Sequence, residues 1–227
     1  MRRIVILGTG TGVGKTHVSL ALGRTLAVRW SAGAQPRRFA LLKPIESGFS
    51  AAAPSDASRL AAESRAIALP SEHPRYALAE PISPHLAARR VGLNIEIPVV
   101  QRWLAEWERE QNASADDLAI VETAGGVFTP LGDTTTNFDL ARALEPASWV
   151  LVAPDALGVL HELTATLSAL AARGRSPDFV VLSAAREPDA STGSNAAELR
   201  RLRIADPAAE LGRDASDLGA FVAQLLA

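Results

Sequence analysis

The chain has 227 residues, 48% of them apolar, enough to bury a sizeable core and to argue against disorder. Its net charge is −2 with no block of like charges, so neither a nucleic-acid binder nor a polybasic membrane anchor is expected. Cysteine is absent, which leaves no disulfide framework, thiolate zinc site or cysteine nucleophile.

Residues 1–7 are too short an apolar stretch for a signal peptide, and no run reaches the ~20 apolar residues of a membrane span, so a soluble cytoplasmic protein is expected. Residues 4–7, Ile-Val-Ile-Leu, predict a strand buried on both faces. Glycines follow, and then a helical pattern over 15–30. A second strand is predicted at 39–43, stopped by Pro44, and a helix at 55–68. The segment 51–97 is richer in Pro and Ser and reads as an excursion, not as a second domain. Further on come a helix at 99–111, a strand at 118–122, a helix at 137–144 and a strand at 149–153. A helix at 159–173, a strand at 179–183 and a helical tail at 215–226 complete the series. With no internal repeat and no linker, residues 1–227 are expected to form one domain. Alternating strands and helices imply right-handed crossovers, hence a single-domain α/β fold with a mostly parallel sheet and helices on both faces. In such sheets ligands sit beyond the carboxyl ends of the strands.

The first strand runs into Gly8-Thr9-Gly10-Thr11-Gly12-Val13-Gly14-Lys15-Thr16, which opens a helix. Glycines let backbone N–H groups curl round phosphate oxygens, and the helix amino terminus adds its positive dipole end. In this P-loop pattern Lys15 reaches the β- and γ-phosphates, and the Thr16 hydroxyl ligates Mg²⁺. Thr9 stands where the strict pattern has its first glycine. The second strand ends at Lys43, which either is solvated or faces the ligand crevice as a compact charge for phosphate. Glu122, at the tip of the third strand and followed by Gly125 and Gly126, suits a Mg²⁺ carboxylate, with a turn-capping acid as the bland alternative. Asp56 alone reads as a helix cap. His85 reads as a loop or core histidine, or as a general base. The four histidines have no metal-ligand spacing. Of 23 basic residues only Lys15 and Lys43 are lysines, and both lie in these motifs, where a compact ammonium differs from a guanidinium.

Taken together these segments resemble the dethiobiotin synthetases. The resemblance runs through the Gly-Thr-x-Thr-x-Val-Gly-Lys-Thr loop, Lys43-Pro44-x-x-Ser47-Gly48 and Ser55-Asp56-Ala57. It continues in Glu80-Pro81-x-Ser83-Pro84-His85, in Glu122-x-Ala124-Gly125-Gly126-x-x-x-Pro130-Leu131 and in Leu157-Gly158. It implies a P-loop NTPase-like, ATP- and Mg²⁺-dependent cyclo-ligase that closes 7,8-diaminononanoate with CO₂ to dethiobiotin, acting as a homodimer. It further implies that Thr16, Asp56 and Glu122 hold Mg²⁺ and that Gly12, Val13, Gly14 and Lys15 bind nucleotide. Lys43 and Ser47 then face the carbamate and phosphate, while Thr11, Gly125 and Gly126 line the diamine pocket. Two departures stand out. Leu160-His161-Glu162 replaces an Asn-His pair that binds the substrate tail, and Ser183-Ala184-Ala185-Arg186 replaces an Asn that reads adenine. The alternatives are a related ligase for another amine, or a regulatory or partitioning P-loop ATPase.

Overall fold

The computed structural model describes residues 1–31, 37–213 and 218–227. Its centre is a six-stranded sheet in the order β2-β5-β1-β6-β7-β8, with every pairing parallel. The strands are β1 (Arg2–Gly8), β2 (Phe39–Leu42), β5 (Leu118–Glu122), β6 (Ala147–Asp155), β7 (Phe179–Ala184) and β8 (Ala209–Leu211). Side chains alternate across a strand, so β1 sends Val5 and Leu7 into one core and Ile4 and Ile6 into the other. This is why its sequence is continuously apolar instead of alternating.

The Ile4 face is covered by α1 (Lys15–Ser31), α2 (Asp56–Glu63) and α8 (Gly219–Leu226), through Leu22, Leu26, Leu60 and Phe221. The Val5 face carries α3 (Pro84–Arg90), α4 (Ile97–Glu110), α5 (Asn137–Ala143), α6 (Val159–Ala171) and α7 (Asn195–Arg201). On α4 the apolar positions Val100, Leu104 and Trp107 recur at helical spacing and are buried, with Trp107 also donating to the Ala68 carbonyl at 2.7 Å.

Four of the five expected strands lie within the observed ones, the second expected at 39–43 ends one residue earlier at Leu42, and α7, β8 and a small parallel sheet are additions. That sheet pairs β3 (Ile45–Ser47) with β4 (Tyr76–Leu78), strands too short to carry a readable period. The expected helix over 55–68 stops at Glu63. Ser64 turns to extended backbone (φ −69°, ψ 147°), and its hydroxyl accepts the Leu41 N–H at 2.9 Å. Arg65 then exchanges backbone hydrogen bonds with Phe39, so the free edge of β2 takes the residues that local propensity would leave helical. Of the expected tail helix, residues 219–226 are helical, and 215–217 lie outside the described residues.

Arg38 and Asp117 bind the amino ends of β2 and β5 at 2.5 Å. Burial pushes the Asp117 carboxyl upward, but hydrogen bonds from Arg38 and Ser114 outweigh it and bring its pKa down to about 2. A carboxylate with a lowered folded pKa stabilises above its unfolded value of ~3.9 and loses that contribution as pH falls towards 2. Asp117→Asn is therefore expected to cost about 2 kcal/mol in urea unfolding at pH 7. The gap from the parent chain should narrow steadily between pH 4 and pH 2.

Candidate active site

The phosphate loop leaves β1 at Gly8 and enters α1 at Lys15, over the carboxyl edge of the sheet. Thr9 N–H donates to the Val152 carbonyl at 3.0 Å, which fastens the loop to β6. Gly14 has φ +96°, and a Cβ there would meet the Ser183 hydroxyl at 2.1 Å, so conformation and space both require glycine. A Cβ on Gly126 would stand 3.0 Å from the Thr9 carbonyl, which places the turn after β5 directly against the phosphate loop. Fully buried Asn137 pins that turn, donating from Nδ2 to the carbonyls of Ala124 (2.6 Å) and Gly126 (2.9 Å).

The β1–β5 register sets Ile6 beside Glu122 and so brings the buried Glu122 carboxylate under α1. Its Oε1 accepts from Thr16 Oγ1 (2.8 Å) and Lys43 Nζ (3.0 Å), and its Oε2 from Ser19 Oγ (2.9 Å). Asp56, the first residue of α2, meets the same groups, its Oδ2 accepting from Lys43 Nζ (2.7 Å) and lying 3.1 Å from Thr16 Oγ1, whose single proton serves either carboxylate. Burial works against the Lys43 ammonium, but Glu122 and Asp56 outweigh it and hold its pKa above the ordinary lysine value. Burial dominates at Lys15 and lowers its pKa to about 8, with its Nζ turned back on the Gly10 carbonyl at 3.0 Å. Lys15 is thus a desolvated cation whose present acceptor is a neutral carbonyl.

Two carboxylates that meet one ammonium, with a hydroxyl within hydrogen-bond distance of both, form an all-oxygen donor set only half neutralised by that cation. That chemistry fits Mg²⁺, which takes one or two protein carboxylates and completes its shell with water and phosphate. Thr16, Asp56 and Glu122 are the residues that would hold it.

A cavity of about 810 Å³ opens over this centre and is lined by Thr11, Gly12, Gly14, Lys15, Thr16, Lys43, Ser47, Asp56, Glu122 and Gly125. Ten of the twelve residues expected at the site therefore share one cavity. Gly126 lies behind it against the loop backbone, and Val13 is buried in the apolar core. The Ser47 hydroxyl is buried without a hydrogen-bond partner among the described residues. His85 is not among the cavity residues, and its Nδ1 contacts Ser83 Oγ at 2.9 Å. A larger groove of about 950 Å³ lies at the amino end of β7, but its charges Arg200 and Asp206 pair with each other, and it gathers no reactive set.

Several participants escaped the sequence. Ser19 lies three residues after Thr16 on the same face of α1, a spacing that could have flagged it. Arg59 and Arg186 also line the cavity, and Glu46 and His73 brace it, through contacts between segments distant in sequence.

A family described as an AAA domain matches residues 2–210. The ATP-dependent dethiobiotin synthetase BioD of Caulobacter sp. (strain K31) is 39% identical over 197 residues, 83% of this chain and 79% of that protein. The enzyme of the same name from Anaeromyxobacter dehalogenans (strain 2CP-C) is 35% identical over 98% of both chains. The chain belongs to the dethiobiotin synthetase family. Among solved structures, a ParA family ATPase from Chlorobium tepidum TLS has TM-score 0.53 at 14% identity, covering 94% of this chain and 84% of that one. The MinC:MinD cell division complex of Aquifex aeolicus matches at TM-score 0.53 and 13% identity, over 97% and 85%. Both likenesses concern the fold alone. Against this dethiobiotin synthetase background, the loop with Lys15, the Lys43 segment and the Glu122 turn are the parts of the chain that meet at one site.

His73 supports the site from behind. Its Nε2 accepts the Lys43 backbone N–H at 2.8 Å, and its ring stacks on Trp103 with centroids 6.4 Å apart. An accepting Nε2 carries no proton, and burial lowers the pKa to about 4. Unfolded histidine protonates near 6.5, so stability from this group is complete above that value and declines as pH falls towards 4. Denaturant titrations should register a loss of about 2 kcal/mol across that window, with a visibly flatter slope in His73→Gln.

Proposed function

We propose that this chain catalyses the ATP-dependent closure of 7,8-diaminononanoate with CO₂ to dethiobiotin. The observation that carries the reading is the Lys43 ammonium, placed between Asp56 and Glu122 beside the phosphate loop. The diamine takes up CO₂ on one nitrogen as a carbamate. A carbamate oxygen attacks the γ-phosphorus and ADP leaves; the second amine then attacks the carbamoyl carbon and phosphate leaves. Two anions must meet, so positive charge and donors are required around the transferring group.

In this reading the amides of residues 12–14 and Lys15 hold the β- and γ-phosphates, and Lys43 faces the γ-phosphate and carbamate. The unpartnered Ser47 hydroxyl supplies a donor to the same group. Thr11, Gly125 and Gly126 shape the diamine end. Thr16, Asp56 and Glu122 would hold Mg²⁺, which would supply charge neutralisation and polarisation of the phosphoryl group. The nucleotide base fits a separate cavity of about 270 Å³ at the carboxyl ends of β7 and β8, bordered by Ala184, Pro188, Glu210 and Arg213.

Among the described residues no helix is long and apolar enough to cross a membrane. The family resemblance is what supports a homodimer. A second reading keeps the chemistry and changes the amine. It is favoured by Glu162, which accepts from Thr9 Oγ1 at 3.1 Å and sets a negative charge at the loop's outer side, where a carboxylate tail is poorly received.

The assay supplies diamine, bicarbonate, Mg²⁺ and ATP and follows cyclic urea and phosphate. Turnover is expected in the parent chain and a loss of at least a thousandfold in Lys15→Arg and in Lys43→Arg, because a guanidinium fork cannot take the place of a compact ammonium. Full activity in either variant removes that lysine from the mechanism. Turnover of another diamine in preference to diaminononanoate selects the second reading, and hydrolysis stimulated only by DNA or a protein partner selects a partitioning ATPase.

A further inference from the structure

Glu46 lies on β3, three residues beyond Lys43, and is only 6% exposed. Its carboxylate is spent entirely on backbone: Oε1 accepts the Asp56 N–H at 2.8 Å, and Oε2 accepts the Ala57 N–H at 2.9 Å. A carboxylate withdrawn from water costs several kcal/mol unless it is paired or well hydrogen-bonded. The free amides and positive dipole end of α2 meet that need.

The helix does not depend on Glu46 for its ordinary cap. Ser55 already accepts the Ser58 N–H at 3.1 Å from the N-cap position. What the second, charged clamp adds is a fixed location for Asp56. That residue is the first of α2, and its carboxylate reaches Lys43 at 2.7 Å and Thr16 at 3.1 Å. Lys43 and Glu46 share one short segment, so a single stretch of chain carries the ammonium and grips the backbone of the carboxylate facing it. A loop with only the Ser55 cap would leave Asp56 free to shift relative to Lys43 by rocking of a two-turn helix.

We propose that Glu46 is a positioning residue: by clamping the first two amides of α2 it sets the Asp56 carboxylate against Lys43 and the cation site. It acts only through Asp56. The inference rests on the reading above that Asp56 is a Mg²⁺ ligand.

The test is Mn²⁺ titration, followed by electron paramagnetic resonance, of the full chain with a non-hydrolysable ATP analogue. It compares the parent chain with Glu46→Gln, Ser55→Ala, Asp56→Asn and the double variant Glu46→Gln/Asp56→Asn, with thermal melting alongside. Glu46→Gln keeps one acceptor but turns an N–H₂ towards the second amide. It is expected to weaken Mn²⁺ binding about tenfold, the scale on which groups that orient metal ligands act. Ser55→Ala should lower the melting temperature yet leave Mn²⁺ affinity within twofold. In the Asp56→Asn background Glu46→Gln should change Mn²⁺ affinity by less than twofold, because the residue acting through Asp56 has nothing left to place.

An unchanged Mn²⁺ affinity in Glu46→Gln overturns the proposal, as does a full tenfold loss in the Asp56→Asn background or an equal loss in Ser55→Ala. Should Glu46→Gln fail to fold, Glu46→Asp, which keeps the charge and shortens the reach, is judged by the same outcomes. The two readings fail separately. Dethiobiotin formation with unaltered Mn²⁺ binding in the variant sinks the positioning role alone, and the expected Mn²⁺ pattern without dethiobiotin formation sinks the assigned reaction alone.

Discussion

The Glu122 carboxylate is 1% exposed at the tip of a central strand, and most of the site exists because that charge must be compensated. An isolated carboxylate there would cost several kcal/mol. Compensation comes from three partners in two places: Thr16 and Ser19 on α1, and Lys43 just beyond the end of β2. The partners come from two stretches of chain, so the charge ties the start of the first helix, where the phosphate loop ends, to the strand beside β5. In the proposed reading, a divalent cation held by Thr16, Asp56 and Glu122 would compete with the Lys43 ammonium for the same oxygens. Such binding would rearrange the contacts that hold Lys43 and make its ammonium available to an anion.

The two lysines illustrate how environment divides a pair of like residues. Both are buried, at 6% and 7% exposure, and their pKa values move in opposite directions. Burial wins at Lys15, where the nearest acceptor is a carbonyl; carboxylates win at Lys43, where two lie within 3.0 Å. In the proposed reading, a phosphate at Lys15 would supply a direct counter-charge in place of the Gly10 carbonyl. Arginine, by contrast, does the structural work, as in Arg3 to Glu108, Arg38 to Asp117 and Arg175 to Asp178, where a planar fork can span two oxygens.

Much of this site could be read before folding was considered, because its parts obey local rules. Gly14 is glycine for reasons of its own backbone and of one neighbour, and Lys15-Thr16 follow it at the start of a helix whatever the rest of the chain does. Glu122 ends a strand that is continuously apolar, so its location could be told from the pattern alone. Asp56 is the intermediate case. Its place at a helix start was legible, but the ammonium 2.7 Å away belongs to a residue thirteen positions earlier, and nothing in either segment encodes that distance.

Glu46, His73 and Asn137 were not legible at all. Each acts by accepting from or donating to the backbone of another segment, and backbone groups carry no sequence signature. The early end of α2 has the same cause, since the open edge of β2 competes for residues 64 and 65. By itself, then, the sequence determined the alternation of strands and helices, the phosphate loop and the reactive residue types, all consequences of short-range periodicity and steric preference. Strand order, the meeting of Lys43 with Asp56 and Glu122, and the clamps behind them were decided only by tertiary structure, because they depend on which buried charges and open edges must find partners across the fold.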